Sequence, residues 1–275
     1  MQSKSVGKKN VARRIEIKPV TQPPDRLYLL YHELRPSRSN YSYVVGTEEF
    51  EKHVDLYLKL RNADEPGLWP EITFDDGHIS NFEFGLPVLQ SRDVTARFFI
   101  TVGWTGRGRD YMGWQELRAL HQAGQHIGAH GWSHALLTHC SARELHSELV
   151  DARLTLEDKL GTPITTMSLP GGRYNRHILT ACREAGYTQI FNSIPRAEPE
   201  PAGTIIGRLN IRGDMSLEWI TKLLQPGSNI LSGLERQYQV KAAAKSVLGD
   251  RLYEKVWALL NRKETDTDMR EAADK

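Results

Sequence analysis

The sequence predicts an α/β protein of parallel strands joined by crossover helices. Two observations carry this expectation. Short apolar, β-branched or aromatic runs alternate with segments of helical periodicity from residue 27 to residue 193. The 275 residues, 39% apolar and 25% charged, suit one large domain with tails or two small ones. The alternation alone leaves a closed barrel and an open doubly wound sheet both available. No G-x-G-x-x-G or P-loop points to a nucleotide fold.

The elements follow in order. LYLLY at 27–31 is a strand, and His32 and Glu33 follow it directly. RPSRSNYSYVVG reads as a polar loop. Thr47 is the expected N-cap of a helix over 48–62, with Glu48 and Glu49 facing the positive end of its dipole. Residues 72–74 form the next strand, and 82–91 a helix or turn. TARFFITVGW at 95–104 is a buried strand, followed by a Gly- and Arg-rich loop. The segment 114–124 is a helix and 125–130 a strand. The clearest helix is 141–161, capped by Ser141, closed by Gly161 and lined by Leu145, Leu149, Leu156 and Leu160. A strand at 165–170, a helix at 177–186 and a strand at 187–193 complete the series. Residues 196–203 are a proline-rich loop. From these boundaries we expect a basic tail at 1–25, the main domain at 26–226, a helical appendage at 227–262 and a charged tail at 263–275.

Composition excludes several classes. The formal net charge of +2 gives no reason to expect nucleic acid as a partner. Two cysteines, Cys140 and Cys182, provide neither a disulfide framework nor a cysteine-rich zinc site. No apolar run of about 18 residues predicts a transmembrane helix. The basic start lacks the apolar core of a secretory signal, which favours the cytoplasm. Oligomeric state is not readable.

Three polar clusters sit where strands end, the place where parallel α/β folds collect active residues. TFDDG at 73–77 sets Asp75 beside Asp76, an arrangement that costs energy unless a cation or a reaction needs it. HGWSH at 130–134 places His130 and His134 four apart, on one side of the chain if the segment makes a helical turn. Two neutral histidines and one carboxylate form a common catalytic metal set. SLPGGRYN at 168–175 ends a strand in two glycines whose N–H groups suit an oxyanion.

Together these three stretches resemble the polysaccharide deacetylases with a NodB-type domain, over roughly residues 25–195. The resemblance implies a distorted (β/α) barrel of the NodB type, here with a C-terminal helical appendage. It implies Asp75 as catalytic base, and Asp76, His130 and His134 as ligands of a divalent metal. Zn²⁺ is the expected ion, with Co²⁺, Ni²⁺ or Fe²⁺ as alternatives. Gly171 matches the family's oxyanion position, and Arg173 and Tyr174 follow it as substrate-binding candidates. The chain departs from the pattern in three places. Gly131 stands where the family often has Ser or Thr. Ser168 stands where it carries an arginine that orients the base, for which Arg173 is a nearby substitute. No late Leu-x-His segment supplies the acid. LYLLYHEL at 27–34 is similar to the permuted branch acting on poly-N-acetylglucosamine, whose acid histidine comes early. That similarity makes His32 the expected general acid.

The expected activity is metal-dependent removal of N-acetyl groups from an amino-sugar polysaccharide or its precursor. The competing readings are a cytosolic cyclic-amide or ureide hydrolase and a catalytically silent carbohydrate-binding protein. Trp104, Tyr111, Trp114 and Trp132 are candidate sugar-stacking residues or core packers.

Overall fold

The computed structural model of the protein describes residues 24–248, apart from 38, 64–66 and 201. The chain forms β1 (Arg26–Tyr31), β2 (Glu33–Arg35), β3 (Val44–Gly46), α1 (Thr47–Arg61) and β4 (Trp69–Phe74). A wide turn at Asn81–Gly85 leads into α2 (Leu86–Ser91), then β5 (Ala96–Ile100), α3 (Trp114–Gln122) and β6 (His126–Ala129). Next come α4 (Ala142–His146), a second wide turn at Ser147–Asp151, and α5 (Ala152–Leu160). The chain closes with β7 (Thr166–Ser168), α6 (Arg176–Glu184), β8 (Gln189–Phe191), β9 (Ile205–Ile206), β10 (Arg208–Asn210), α7 (Leu217–Leu224) and α8 (Ile230–Leu248).

Eight strands pair in parallel in the order β10-β1-β4-β5-β6-β7-β8-β9. The two edge strands, β9 and β10, are separated in sequence by Gly207 alone. Residues two apart are at most about 7 Å from each other. Both edges therefore meet, and the sheet must curl into a barrel, as the resemblance implied. The open doubly wound alternative is excluded.

Strand alternation sorts the side chains. Leu27, Leu29 and Tyr31 of β1 face the helices, in a core shared with Ile72, Phe74 and Phe98. Tyr28, Phe99, Phe191 and Ile206 form a separate cluster inside the barrel. The Tyr28–Phe191 and Phe99–Phe191 ring centroids are 5.3 and 4.9 Å apart, so aromatic rings plug the lumen. The polar site lies at the C-terminal end of the strands, on top of this plug.

Several boundaries differ from the sequence reading. Gly46, not Thr47, is the N-cap of α1, because Thr47 already has helical backbone. β5 stops at Ile100, since Val102 and Gly103 donate to the carbonyls of Gly131 and Trp132 instead of continuing the ladder. The polar stretch after β1 hides β2 and β3, whose Leu34, Val44 and Val45 are buried. β9, β10 and α7 were not foreseen. The 141–161 helix starts at Ser141 and ends at Gly161 as expected, but its middle opens into the second wide turn. Within the expected appendage, α8 accounts for the part up to Leu248. Residues 249–262 and the tails at 1–23 and 263–275 lie outside the described residues. Among the described residues, no helix is long and apolar enough to cross a membrane.

Candidate active site

Asp75 lies one residue beyond β4, and its N–H continues the β1 ladder by donating to the Tyr31 carbonyl at 3.0 Å. The carboxylate is 3% exposed. Arg208, fully buried on β10, grips it from both sides: Nη1 donates to Oδ1 at 2.7 Å and Nη2 to Oδ2 at 2.8 Å. Ser168 completes the network, taking a hydrogen bond from Arg208 Nη2 at 2.7 Å and giving one to Asp75 Oδ2 at 2.9 Å. The guanidinium rests on the lumen plug, 5.3 Å from the Phe99 centroid and 5.8 Å from that of Phe191. A bidentate pair of this kind fixes direction as well as charge. Burial alone would raise the Asp75 pKa. The Arg208 charge, the His130 charge and the Arg208 hydrogen bonds outweigh it and hold the carboxyl well below the usual range.

The arginine missing from position 168 is thus supplied by Arg208, and Arg173 does not take that part. Arg208 was not among the expected residues. Its signal was present, since an arginine inside the run IIGRLNI needs a buried partner if that run is a strand.

Asp76 bends away from the strand in left-handed backbone, with φ of 73°. That turn lets adjacent carboxylates serve one pocket from different sides, as anticipated. Its Oδ1 is buried and makes no hydrogen bond. It lies 3.4 Å from His130 Nε2 and 3.5 Å from His134 Nε2. The HGWSH segment makes no helical turn. His134 reaches the site because Gly131 and His134 adopt positive φ, 79° and 63°. His130 Nδ1–H donates to the Ser168 carbonyl at 2.9 Å, which leaves the Nε2 lone pair facing Asp76. His134 stacks on Trp104 with centroids 5.2 Å apart, and Tyr111 packs on Trp104 at 5.0 Å.

Ligand atoms around a tetrahedral zinc, at about 2.0–2.1 Å from it, stand about 3.3–3.4 Å from one another. The Asp76–histidine spacings match that edge, and an orphaned buried carboxylate oxygen points into the gap. The residues therefore fit a divalent cation. Burial lowers the His130 pKa, but the charge of Asp75 and its contact with Asp76 overcome this and raise it. The position thus favours positive charge, which a metal supplies in place of a proton. His134 is lowered, by burial first and by the His130 charge second.

His32 follows β1 and faces the same pocket. Its ring packs against Tyr43 at 5.0 Å, and its buried Nδ1 has no hydrogen-bond partner. Burial lowers its pKa, with the Asp75 and Asp76 charges opposing that shift. Gly171 has φ of 63°. With Arg173 and Tyr174 it lines a groove of about 810 Å³ whose far wall is Tyr238 and Lys241 of α8. Of the stacking candidates, Trp104 stacks on His134, Tyr111 packs on Trp104, Trp114 packs on the core, and Trp132 is 36% exposed.

Residues 69–190 match the model of the polysaccharide deacetylase family. This barrel is similar to the polysaccharide deacetylase domains. The chain is 26% identical to Bacillus subtilis YxkH, whose name places it among the polysaccharide deacetylases, over 66% of this chain and 70% of that protein. It is 32% identical to the Listeria monocytogenes peptidoglycan-N-acetylglucosamine deacetylase PgdA, over 39% of this chain and only 22% of that longer protein. Among solved structures, the Streptococcus pyogenes deacetylase PplD in complex with acetate has a similar fold. Its TM-score is 0.65 at 21% identity, over 75% of this chain and 100% of that one. IcaB from Ammonifex degensii superposes with a TM-score of 0.58 at 18% identity, over 78% of this chain and 98% of that one. The matched stretch carries Asp75, Asp76, His130, His134 and Ser168. His32 and Arg208 lie outside it, next to and on β1 and β10, which pair with each other.

Proposed function

We propose that the protein is a metal-dependent hydrolase that removes N-acetyl groups from an amino-sugar polysaccharide or its precursor. The carrying observation is the orphaned Asp76 oxygen between two imidazoles, beside a buried and ionised Asp75, in a barrel of this family. A divalent cation held by Asp76, His130 and His134, with zinc as first choice and Co²⁺, Ni²⁺ or Fe²⁺ as alternatives, would polarise the amide carbonyl and activate water.

The chain's own groups do the rest. Asp75, whose Oδ2 lies 3.7 Å from His130 Nε2, takes the water's proton. Arg208 and Ser168 keep that carboxylate ionised and aimed. A carboxylate so strongly stabilised is a weak base, so its virtue is placement rather than proton affinity. His32, in its protonated form, gives a proton to the amine nitrogen as the amide C–N bond breaks. The two neighbouring carboxylates favour that form, and burial disfavours it. The Gly171 N–H serves the oxyanion. The faces of Trp104 and Tyr111 flank the sugar. The products are acetate and a free amino sugar.

The named relatives include deacetylases of peptidoglycan N-acetylglucosamine and of chitin. Both substrates carry an acetamido sugar, and only that shared chemistry is carried to this chain. The silent binding-protein reading rested on an unoriented base, and Arg208 removes that support.

The test is acetate release from short N-acetylglucosamine oligomers by protein stripped with a chelator and reloaded with Zn²⁺ or Co²⁺. Metal-dependent acetate that vanishes in Asp75→Asn supports the proposal. Binding of the ion with no acetate from any acetamido sugar sends the reading to the cyclic-amide hydrolases. Failure to bind either ion defeats it.

A further inference from the structure

Glu148 lies on the second wide turn, is 5% exposed, and forms no ion pair among the described residues. A buried carboxylate without a cation must be held by several donors. All of its hydrogen-bond donors come from the loop between the two histidines. Oε2 accepts the Trp132 N–H at 2.7 Å and the Ser133 N–H at 3.1 Å. Oε1 accepts the Ser133 N–H at 3.1 Å and the Ser133 hydroxyl at 2.5 Å. From the opposite side, Val102 and Gly103 donate to the carbonyls of Gly131 and Trp132 at 3.1 and 2.7 Å. The loop is clamped at both its donors and its acceptors.

This clamp explains the departure at position 131. A Cβ there would stand 2.5 Å from Glu148 Oε2, in backbone with φ of 79°. Glycine is what lets the carboxylate approach. The wide turn belongs to the same arrangement, since one extra residue in a helical turn redirects a side chain, and such turns recur at functional sites. The Leu149 carbonyl within the turn also accepts the Tyr187 hydroxyl at 2.8 Å.

We infer that Glu148 is a positioning residue for the metal centre: its carboxylate fixes the 131–133 loop so that His134, in left-handed backbone, presents Nε2 to Asp76. The inference rests on the metal-hydrolase reading above. It touches neither metal nor substrate and acts only through the loop.

The measurement is the Zn²⁺ and Co²⁺ dissociation constant by chelator competition, with the visible spectrum of the Co²⁺ protein as a second readout. Loss of groups that orient metal ligands costs about 10–100-fold in affinity. Glu148→Ala is expected to weaken binding by that factor and to alter the Co²⁺ bands. Glu148→Gln is expected to fall between, since its amide oxygen keeps the N–H bonds and Ser133 Oγ can turn to accept from the NH₂. Gly131→Ala, which displaces the carboxylate sterically, is expected to weaken binding like Glu148→Ala. Leu223→Ala, in the core under α7, serves as the control for lost stability alone. A Glu148→Ala constant within twofold of wild type overturns the inference, and so does an equal loss in Leu223→Ala. If Glu148→Ala does not fold, the Gln and Gly131 variants decide by the same criterion. Wild-type protein that binds neither ion defeats the metal-hydrolase reading itself, and this inference with it. Binding by wild type with unchanged variants defeats this inference alone.

Discussion

Replacing Arg208 by Met should destabilise the metal-free protein strongly, and removing Asp75 as well should restore much of the loss. The structure gives the reason. Met keeps most of the arginine's length over Phe99 and Phe191, but Asp75 is left buried with only the Ser168 hydroxyl at Oδ2. Breaking a buried pair by deleting one partner costs about 3–5 kcal/mol, chiefly through the charge left behind. In a domain of this size each kcal/mol lowers the melting temperature by about 2–4 °C. A fall of about 6–20 °C is expected for Arg208→Met. Asp75→Asn should also destabilise, because it strands the guanidinium. The double variant removes both charges and should cost about 3 kcal/mol less than the sum of the single ones. Urea unfolding of the four chelated proteins measures this cycle directly. Additive single effects, or an Arg208→Met cost below about 1 kcal/mol, would refute the claim that the pair holds the top of the barrel together.

Other outcomes follow from the same geometry. Asp76→Asn and His134→Gln should lose Co²⁺ binding by chelator competition while their melting curves stay cooperative. Asp75→Asn should keep the ion yet lose acetate release by about 100-fold or more, the scale of a positioned base. His32→Gln should lower kcat by a similar factor with KM and metal affinity unchanged; a KM effect alone would remove His32 from proton transfer. His53, which is not among the candidate metal ligands, offers a pH test. Burial pushes its pKa down to about 4, and its Nδ1 pairs with the Tyr31 hydroxyl at 3.1 Å. The unfolded chain then binds a proton that the folded one refuses. The associated stability is fully present above pH 6.5 and is lost as pH falls toward 4, by about 3 kcal/mol in all. Urea midpoints from pH 7 to 4 should show this slope, and His53→Gln should flatten it.

The sequence revealed the fold class because periodicity is an averaged signal. Helices such as α1 and α3 and the strand runs of β1 and β5 are long enough to show it. β9 and β10 span two and three residues, too short for any period, and β2 and β3 sit inside a polar run. The clustering of Asp76, His130 and His134 was legible because its members share two compact stretches at strand ends. The HGWSH spacing misled in one respect, since a helical turn was the simplest way to align two imidazoles and the chain uses positive φ instead. Arg208 was hidden by distance. It is 133 residues from Asp75 and carries no local motif. Glu148 was hidden by ordinariness, because a glutamate on an amphipathic helix is expected to face water.

The way the barrel closes has a consequence for when the site exists. A chain growing from its N-terminus carries His32, both aspartates, both histidines and Ser168 before β10 has been made. Until Arg208 arrives, Asp75 lacks the bidentate guanidinium that pairs with both its oxygens, and the β1 edge lacks its β10 partner. Strand β10 therefore seals the barrel and delivers the guanidinium to Asp75 in one step. A fragment ending at residue 190 would hold every expected metal ligand and still lack the guanidinium that pairs with Asp75.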